Sequence, residues 1–485
     1  MKRRYQRHYL TGVALGALWL SGCASVNLDQ LSEPAQAAAL QAFDLPSSAA
    51  LSLSKNEHEQ QQKREQISAL LKEPLGQKQA LQLALINHPT IQAQLAKAWR
   101  DASQSAQTGQ LFNPTFSFER TRYLNELELG RAISFNLFDL LTLPRRQRVA
   151  KLGLENAQAD LIRDVLTQLA SVRATWVNAL AAQEKLDYAK QVLDLAQSSA
   201  ELAKRMKAAG NFNQLKHDQQ QLFLIEAQTQ LKLAQLQANQ NKELLIRSLG
   251  LSPEQATQLQ IPKRLPDLPT ELRTINDINQ IINEQRLDIR QAKLELIRAS
   301  GSQTDDGLLG LPLRDLELKL RRDTVFENGD HGAEKNHRYG YEIEFELPIF
   351  NWGSARNNAV RAEQLRAQFQ LEHVMRQAAS QLRQSYMDYN VRFDIAKSYQ
   401  DALAPLKKSM LDENLLAYNG MLIDVFALLQ EGRSQVQAVI ATIDAKREFW
   451  LADANLQNAL IGLPMSDVSI SETKFESGEA GSAKH

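Results

Sequence analysis

The chain has 485 residues, and its 56 basic and 56 acidic side chains give a formal net charge of zero at pH 7. A nucleic-acid-binding surface needs an excess of Lys and Arg, and this composition has no such excess. Hydrophobic residues make up 43% of the chain and aromatic residues only 6%. This balance favours long helices joined by small-residue contacts over one large globular core.

The first 22 residues have the pattern of a secretory signal peptide. A basic start precedes an apolar stretch at 10–20, which is too short to span a bilayer. Two small residues then lead into Cys23, the only cysteine in the sequence. The order Leu-Ser-Gly-Cys resembles the lipobox of bacterial lipoproteins, which implies that Cys23 is acylated and anchors a lipidated segment at 23–80. The alternatives are a buried structural cysteine and a nucleophile without partners.

Two long tracts lack glycine. No glycine occurs between Gly153 and Gly210, and none occurs between Gly353 and Gly420. Such tracts predict helices of about sixty residues, which must be buried along their length. Pro405 interrupts the second tract and predicts a kink that lets one helical hairpin move; a tolerated irregularity is the alternative.

Both tracts carry a heptad pattern. Apolar residues recur at alternate steps of four and three, which is the seam of a coiled coil. The two seams consist of Val165, Leu169, Val172, Trp176, Ala179, Gln183 and Leu186, and of Leu382, Tyr386, Tyr389, Phe393, Ala396, Gln400 and Leu403.

The two tracts belong to an internal duplication. "KAAGNFNQL" around Gly210 corresponds to "AYNGMLIDV" around Gly420, and "RSLGL" at 247–251 corresponds to "ALIGL" at 459–463. Each copy predicts a helix, two strands, a very long helix, a turn and a long helix. The predicted boundaries are 81–251 for repeat 1, 252–275 for a linker, 276–463 for repeat 2 and 464–485 for a polar tail. The predicted β-hairpins are 113–138 and 314–349, and the predicted helical hairpins are 145–249 and 354–461.

Alternating apolar and charged residues predict the strands. The charged positions expected to line water are Glu128, Glu317, Lys319, Glu342 and Glu344. The first strand is less regular, because Phe116 and Phe118 share parity with Arg120 and Arg122. Segment 326–338 is predicted as a polar exterior loop in which His331 and His337 are solvated.

Prolines are expected at the joints between helices and strands, where they end helices and ladders. They are Pro114, Pro144, Pro312 and Pro348. Aromatic residues cluster at the same joints and predict either an interfacial girdle or packing of the corner. These aromatic residues are Phe112, Phe138, Phe350 and Trp352.

Two hairpins predict a membrane sheet that a single chain cannot close. The smallest membrane barrels have about eight strands, and an open edge in lipid leaves backbone groups unpaired at several kcal/mol each. The strands must therefore be pooled between chains. Three copies give twelve strands, although this arithmetic alone leaves a dimer and a tetramer open.

Residues 77–465 resemble the TolC-like outer-membrane efflux proteins. The resemblance rests on the duplication, on the glycine-containing turns and on "FNLFDLLTLPRRQRVAK" and "FELPIFNWGSARNNAV" after the second strand of each copy. It implies an α+β membrane protein, a homotrimer whose twelve-stranded barrel continues into a long periplasmic α-helical barrel. It also implies a passive exit duct, lipid-anchored in the bacterial outer membrane, that docks onto a periplasmic adaptor protein and an inner-membrane pump.

The resemblance also suggests where such a duct is gated. Members often place acidic residues just past the turn of the second helical hairpin, where Asp424 is the candidate. Ala427 stands where some members have a second acid, and Glu431, one helical turn after Ala427, is the other candidate. The alternative is that Asp424 merely favours the start of a helix. Gly210 and Gly420 are expected to form the turns at the tips of the two helical hairpins.

The sequence carries no motif of a common enzyme class: it has no phosphate-binding Gly-Lys loop, no His-Glu-x-x-His and no Gly-x-Ser-x-Gly. We therefore expect no catalytic residues, no metal site and no cofactor beyond the lipid on Cys23. A structural coiled-coil lipoprotein is the rival from another class. Within the duct interpretation the cargo is open among drugs, copper or other heavy-metal ions, and secreted proteins, with a weak resemblance to metal-efflux members in "AYNGMLIDVFALLQEGR".

Overall fold

A computed structural model describes most of the chain. The described residues are 26–54, 56–124, 126–274, 286–301, 316–329, 332–345, 349–350 and 354–464. The sequence predictions for Cys23, Pro312, Pro348, Trp352, His331 and most of the tail lie outside them.

Eleven α-helices and four strands occur within these residues. In chain order they are α1 (Leu28–Phe43), α2 (Glu57–Leu70), α3 (Gln77–Asn87), α4 (Pro89–Thr108), β1 (Thr115–Tyr123), β2 (Glu126–Asn136), α5 (Leu137–Ala208), α6 (Gln214–Leu249), α7 (Pro253–Gln258), α8 (Leu287–Gly301), β3 (Leu316–Gly329), β4 (Gly332–Phe345), α9 (Ser354–Ser398), α10 (Ala404–Asn419) and α11 (Val425–Ile461).

The helix ends follow from local sequence. Asn213 caps α6 by accepting a hydrogen bond from the backbone N–H of Lys216, and such caps satisfy amides that have no partner in the first turn. The last helix of each copy ends at a glycine in the left-handed conformation, Gly250 with φ 66° and Gly462 with φ 85°. The matched "RSLGL" and "ALIGL" segments therefore mark equivalent helix ends.

The described chain divides into two units. One contains the sheet and lies within residues 1–67, 85–166 and 279–379; the other lies within residues 68–84, 167–278 and 380–485. In the first unit α4 and α5 pack closely, because a Cβ at Gly153 would lie 2.8 Å from Cβ of Ser105. The indole N–H of Trp99 donates to the carbonyl of Val26 at 3.2 Å and fixes the start of the described chain onto α4.

The second unit has its core along the predicted heptad seams. Leu169, Val172 and Trp176 are fully or almost fully buried. Phe449 of α11 packs its ring against Tyr389 at 5.4 Å between ring centroids and against Phe393 of α9 at 5.6 Å. Aromatic pairs of this geometry contribute beyond the area they bury.

A buried ion pair crosses this second core. The guanidinium of Arg173 on α5 pairs with the carboxylate of Asp453 on α11, and Gln457 accepts a further hydrogen bond from it. The side chain of Arg173 is 7% exposed and that of Asp453 is 4% exposed. Burial lowers the pKa of Arg173, while the adjacent Asp453 carboxylate raises it. Since an unpaired charge here would be costly, each partner requires the other.

Two of the sequence predictions, one for a joint and one for a loop, need correction. Pro144 lies inside α5, in its third turn, because β2 ends at Asn136 and the helix begins at the next residue. Segment 326–338 is largely strand, with β3 continuing to Gly329 and β4 starting at Gly332. Backbone pairing holds these residues in the sheet although their side chains are polar.

Pro405 coincides with a break in the helix. Residues Tyr399–Leu403 form a π-helical turn, and the N–H of Ala404 donates to the carbonyl of Tyr399, five residues earlier. Pro405 has no N–H to continue the regular i to i−4 ladder, and a π turn is one way to absorb that loss. The first copy has no such break, since α5 runs to Ala208 as one helix.

Candidate functional site

The four strands form one antiparallel sheet in the order β1-β2-β3-β4. Hydrogen bonding between β2 and β3 joins the hairpin of repeat 1 to the hairpin of repeat 2. Within the described residues, β1 and β4 each have a neighbour on one side only. The outer edge of each therefore presents unpaired backbone groups, which are a template for further strands.

All the carboxylates of the four strands lie on one surface, the polar face. The register and the two-residue alternation of side chains assign residues to it. Its charged members are Glu119, Glu126, Glu128, Glu317, Lys319, Arg321, Asp323, Glu327, Glu334, Arg338, Glu342 and Glu344. All five positions that the sequence predicts to line water are on this face.

Ion pairs cross the polar face between strands. Arg321 of β3 lies 2.7 Å from Asp323, 3.6 Å from Glu119 of β1 and 3.7 Å from Glu128 of β2. Lys319 of β3 lies 3.3 Å from Glu342 of β4. These contacts hold neighbouring strands together on the side that would meet water.

The opposite surface, the apolar face, exposes large hydrophobic side chains. Tyr341 is 77% exposed and Phe116 is 64% exposed. The other exposed members are Phe118, Ile133, Phe135, Leu320, Tyr339, Ile343 and Phe345. A contiguous apolar patch of this kind marks an interaction surface or a contact with lipid.

The tips of the helical hairpins lie in the second unit. Gly210, between α5 and α6, has φ 76° and adopts the left-handed conformation that glycine tolerates. Gly420 does not play the same part, because its φ is −82° and the next residue, Met421, has φ 57°. Phe212 of the first turn stacks on Phe426 of α11, with ring centroids 4.5 Å apart.

The two acidic gate candidates have different surroundings. Asp424 is the N-cap of α11, and its carboxylate accepts a hydrogen bond from the N–H of Ala427 at 2.8 Å. Glu431 is largely buried, and its carboxylate lies 3.5 Å from the ammonium group of Lys407 on α10. The structure thus gives Asp424 the capping contact of a helix start and pairs Glu431 with the adjacent helix of its own hairpin.

Sequence reasoning missed the contacts that join the two hairpins. Arg433 of α11 lies 3.0 Å from the carboxylate of Glu226 on α6, and its guanidinium lies 4.6 Å from the ring centroid of Phe223. A cleft of about 370 Å³ between α6 and α11 is lined by these residues and by Phe426. No local sequence pattern predicts such a pair, because its two residues lie about two hundred positions apart in the sequence.

Two features are absent from the described residues. No three His, Cys, Asp or Glu side chains among them come together in a group that could hold a metal ion. No helix in the described part of the chain is long and apolar enough to cross a membrane.

At the level of sequence, no protein-family model and no curated protein matches the chain. Among solved structures, the channel-forming protein CusC matches with a TM-score of 0.59 and 18% identity, covering 86% of this chain and 98% of that one. The outer membrane protein VceC of Vibrio cholerae matches with a TM-score of 0.61 and 15% identity over 84% and 98%. The CmeC outer membrane channel of Campylobacter jejuni matches with a TM-score of 0.58 and 17% identity over 86% and 90%.

The chain therefore has the fold of these outer-membrane channel proteins. The resemblance to TolC-like outer-membrane efflux proteins that the sequence suggests is confirmed at the level of the fold.

Proposed function

We propose that this protein is the outer-membrane exit duct of a tripartite efflux system. It passively carries small molecules or ions from the periplasm to the exterior. The observation that supports this most directly is the sheet, which is charged on one face, apolar and exposed on the other, and open at both edges. Such a sheet is satisfied in lipid only when further strands close it.

Three copies of the chain would supply the missing strands. Each contributes four, so a homotrimer gives a twelve-stranded barrel, above the lower limit of about eight. The polar face, including Glu128, Glu317 and Lys319, would line the water-filled lumen, and the apolar face would meet lipid. The long helices would continue the duct into the periplasm.

We also propose where the other partners bind. The tips around Gly210 and Gly420 would meet a periplasmic adaptor protein, through which the duct joins an inner-membrane pump. Met421 and Leu422 at the second tip are 93% and 81% exposed, as a docking surface requires. An acyl group on Cys23 would anchor the mature N-terminus in the outer membrane.

Disulfide cross-linking tests whether the sheet edges of different chains meet. A cysteine at Ser117 of β1 is combined in turn with one at Arg338, Gly340 or Glu342 of β4. Within one chain β1 and β4 are separated by two strands, or about 14 Å, too far for a disulfide. We expect at least one pair to give covalent trimers on oxidation.

The control pairs Ser117 with Arg321 of β3, which stays about 10 Å away in the same chain and is not at an edge. It should give no cross-link. Purified protein in planar bilayers should also conduct ions. A chain that remains monomeric in mild detergent, gives no cross-linked species and does not conduct would contradict the proposal and favour a coiled-coil scaffold.

A further inference from the structure

The apolar face also carries charge, and all of it is positive. Five cations lie on this face near the turns of the two hairpins, a set called here the outer basic cluster. Its members are Arg120, Arg122, Arg131, Arg322 and Lys335. By the same register every carboxylate of the four strands projects from the polar face, so the described strands place no counter-charge on the cluster's own side of the sheet.

Two members of the cluster face each other directly. Arg131 of β2 and Arg322 of β3 are register partners, and both are exposed. Like charges at directly opposite positions destabilise a sheet. Among the described residues, no carboxylate lies within 4 Å of either guanidinium group. Side chains of such a pair start about 5 Å apart, so both can bind the same phosphate group from outside.

The cluster adjoins the apolar rows and aromatic rings. Phe118 and Tyr339 flank the pair of arginines in the same row of the sheet. The guanidinium of Arg322 lies 5.4 Å from the ring centroid of Tyr339, and the ammonium of Lys335 lies 5.6 Å from that of Phe326. On the helix side of this row, Ile133, Leu320 and Tyr341 form the next row.

This arrangement matches an amphiphile. Acyl chains would lie on the apolar rows, and an anionic headgroup would sit at the arginine row. Five cations in one subunit exceed what a single phosphate neutralises, because one phosphate group carries at most about two charges.

We propose that the outer basic cluster binds a membrane lipid whose headgroup carries more than one phosphate, with Arg131 and Arg322 sharing one phosphate group. The inference rests on the proposed function, since it requires the apolar face to lie in a membrane. It adds a lipid-binding site on the outer wall of the barrel.

Native mass spectrometry of the detergent-purified trimer tests the site, with diphosphoryl lipid A as the probe and phosphatidylcholine as the neutral comparison. We expect diphosphoryl lipid A to bind the wild type in preference to phosphatidylcholine. The double variant Arg131→Gln/Arg322→Gln should weaken its binding by about tenfold for each arginine, because each charge-assisted hydrogen bond is lost.

Arg338→Gln is the matched control. Arg338 lies on β4 next to Tyr339 but on the polar face, as the register partner of Asp323, and its loss should leave lipid binding unchanged. Arg131→Lys and Arg322→Lys keep the charge but lose the planar fork. They should bind at intermediate strength, and they provide the measurement if the double variant does not assemble.

Equal binding of both lipids by the wild type, or an equal loss in the Arg338→Gln control, would overturn the proposed site. The failure of the proposed function is distinguishable from this outcome. If only the lipid site is wrong, the double variant and the wild type both remain conducting trimers. If the duct is wrong, the wild type itself neither trimerises nor conducts.

Discussion

Asp424 has two roles to separate, capping α11 and carrying charge at the tip. Its carboxylate accepts the N–H of Ala427, and a serine hydroxyl can make the same contact without charge. If Asp424 contributes charge to a gate, Asp424→Ser and Asp424→Ala should raise the open probability to a similar extent in planar bilayers.

Helix capping alone predicts a different pattern. Asp424→Ala would then lower the apparent melting temperature, because the lost cap costs about 1 kcal/mol, while Asp424→Ser would behave as wild type in both assays. That second pattern would remove Asp424 from the list of gate candidates and leave Glu431.

The buried pair of Arg173 and Asp453 should be far more sensitive to substitution than ion pairs at the surface. Asp453→Asn leaves the guanidinium of Arg173 buried without its counter-charge, and breaking such a pair costs roughly 3–5 kcal/mol. We expect a clear drop in the apparent melting temperature of the purified protein, measured by circular dichroism.

Glu372→Gln provides the control for this measurement. Glu372 pairs with Arg376 one helical turn away on α9, and both side chains are at least half exposed. Such pairs contribute at most about 0.5 kcal/mol. If Asp453→Asn and Glu372→Gln lower the apparent melting temperature equally, the buried pair stabilises the protein no more than an exposed pair does.

Single residues were predictable from sequence where a periodic pattern fixed them. The alternation that placed Glu317, Glu342 and Glu344 on one face needed only the two-residue repeat of a strand. The stacking of Phe212 on Phe426 depends on how two hairpins meet, and the local sequence holds no signal of it.

At the scale of elements, the π-helical turn before Pro405 is the clearest difference between the two copies. Replacing the proline restores an N–H, so Pro405→Ala should convert Tyr399–Leu403 to regular α-helix. If this turn lets the second hairpin move, the variant should have a lower open probability and slower amide exchange across the turn, measured by hydrogen–deuterium exchange mass spectrometry.

Ser398→Ala is the control, since Ser398 is exposed next to the π turn and its substitution leaves the backbone donors unchanged. It should conduct and exchange as the wild type. If Pro405→Ala conducts like the wild type under all conditions, the π turn is a tolerated irregularity and does not let the hairpin move.

Strand lengths were harder to predict than strand positions. The sequence predicts a polar exterior loop at 326–338 and therefore shorter second-copy strands. In the structure the ladder continues through Val325, paired with Asn336, to Gly329, paired with Gly332. Main-chain hydrogen bonds hold a strand whatever its side chains, so a polar segment beyond the apolar band can still extend a sheet.

The irregular alternation of apolar and charged residues in β1 also arises because the strand continues beyond the apolar band. Arg120 and Arg122 share the face of Phe116 and Phe118, which weakened the amphipathic pattern in the sequence. With the sheet assembled, they join the other cations of the apolar face at the turn end. The departure from alternation therefore lies where the apolar part of β1 meets its charged turn end.

At the scale of the whole molecule, the two faces of the sheet differ in charge. Among the residues of the four described strands, the polar face carries nine carboxylates and three cations. If this face lines the lumen, the barrel should prefer cations, because rings of acidic side chains select for them. The reversal potential in a potassium chloride gradient should therefore indicate K⁺ over Cl⁻.

Removing acidic groups from the polar face should reduce that preference. The triple variant Glu317→Gln/Glu342→Gln/Glu344→Gln neutralises three carboxylates near the helix side of the sheet in every subunit, and its reversal potential should move towards zero. Lys335→Gln changes a charge on β4 that points to the opposite face and should leave selectivity unchanged.

An anion preference in the wild type, or a shift in reversal potential caused by Lys335→Gln and not by the triple variant, would mean that the faces are assigned the wrong way round. The lumen would then be lined by the apolar face, and a water-filled passage would lose its physical basis, because aromatic rings would line it while charged carboxylates faced lipid.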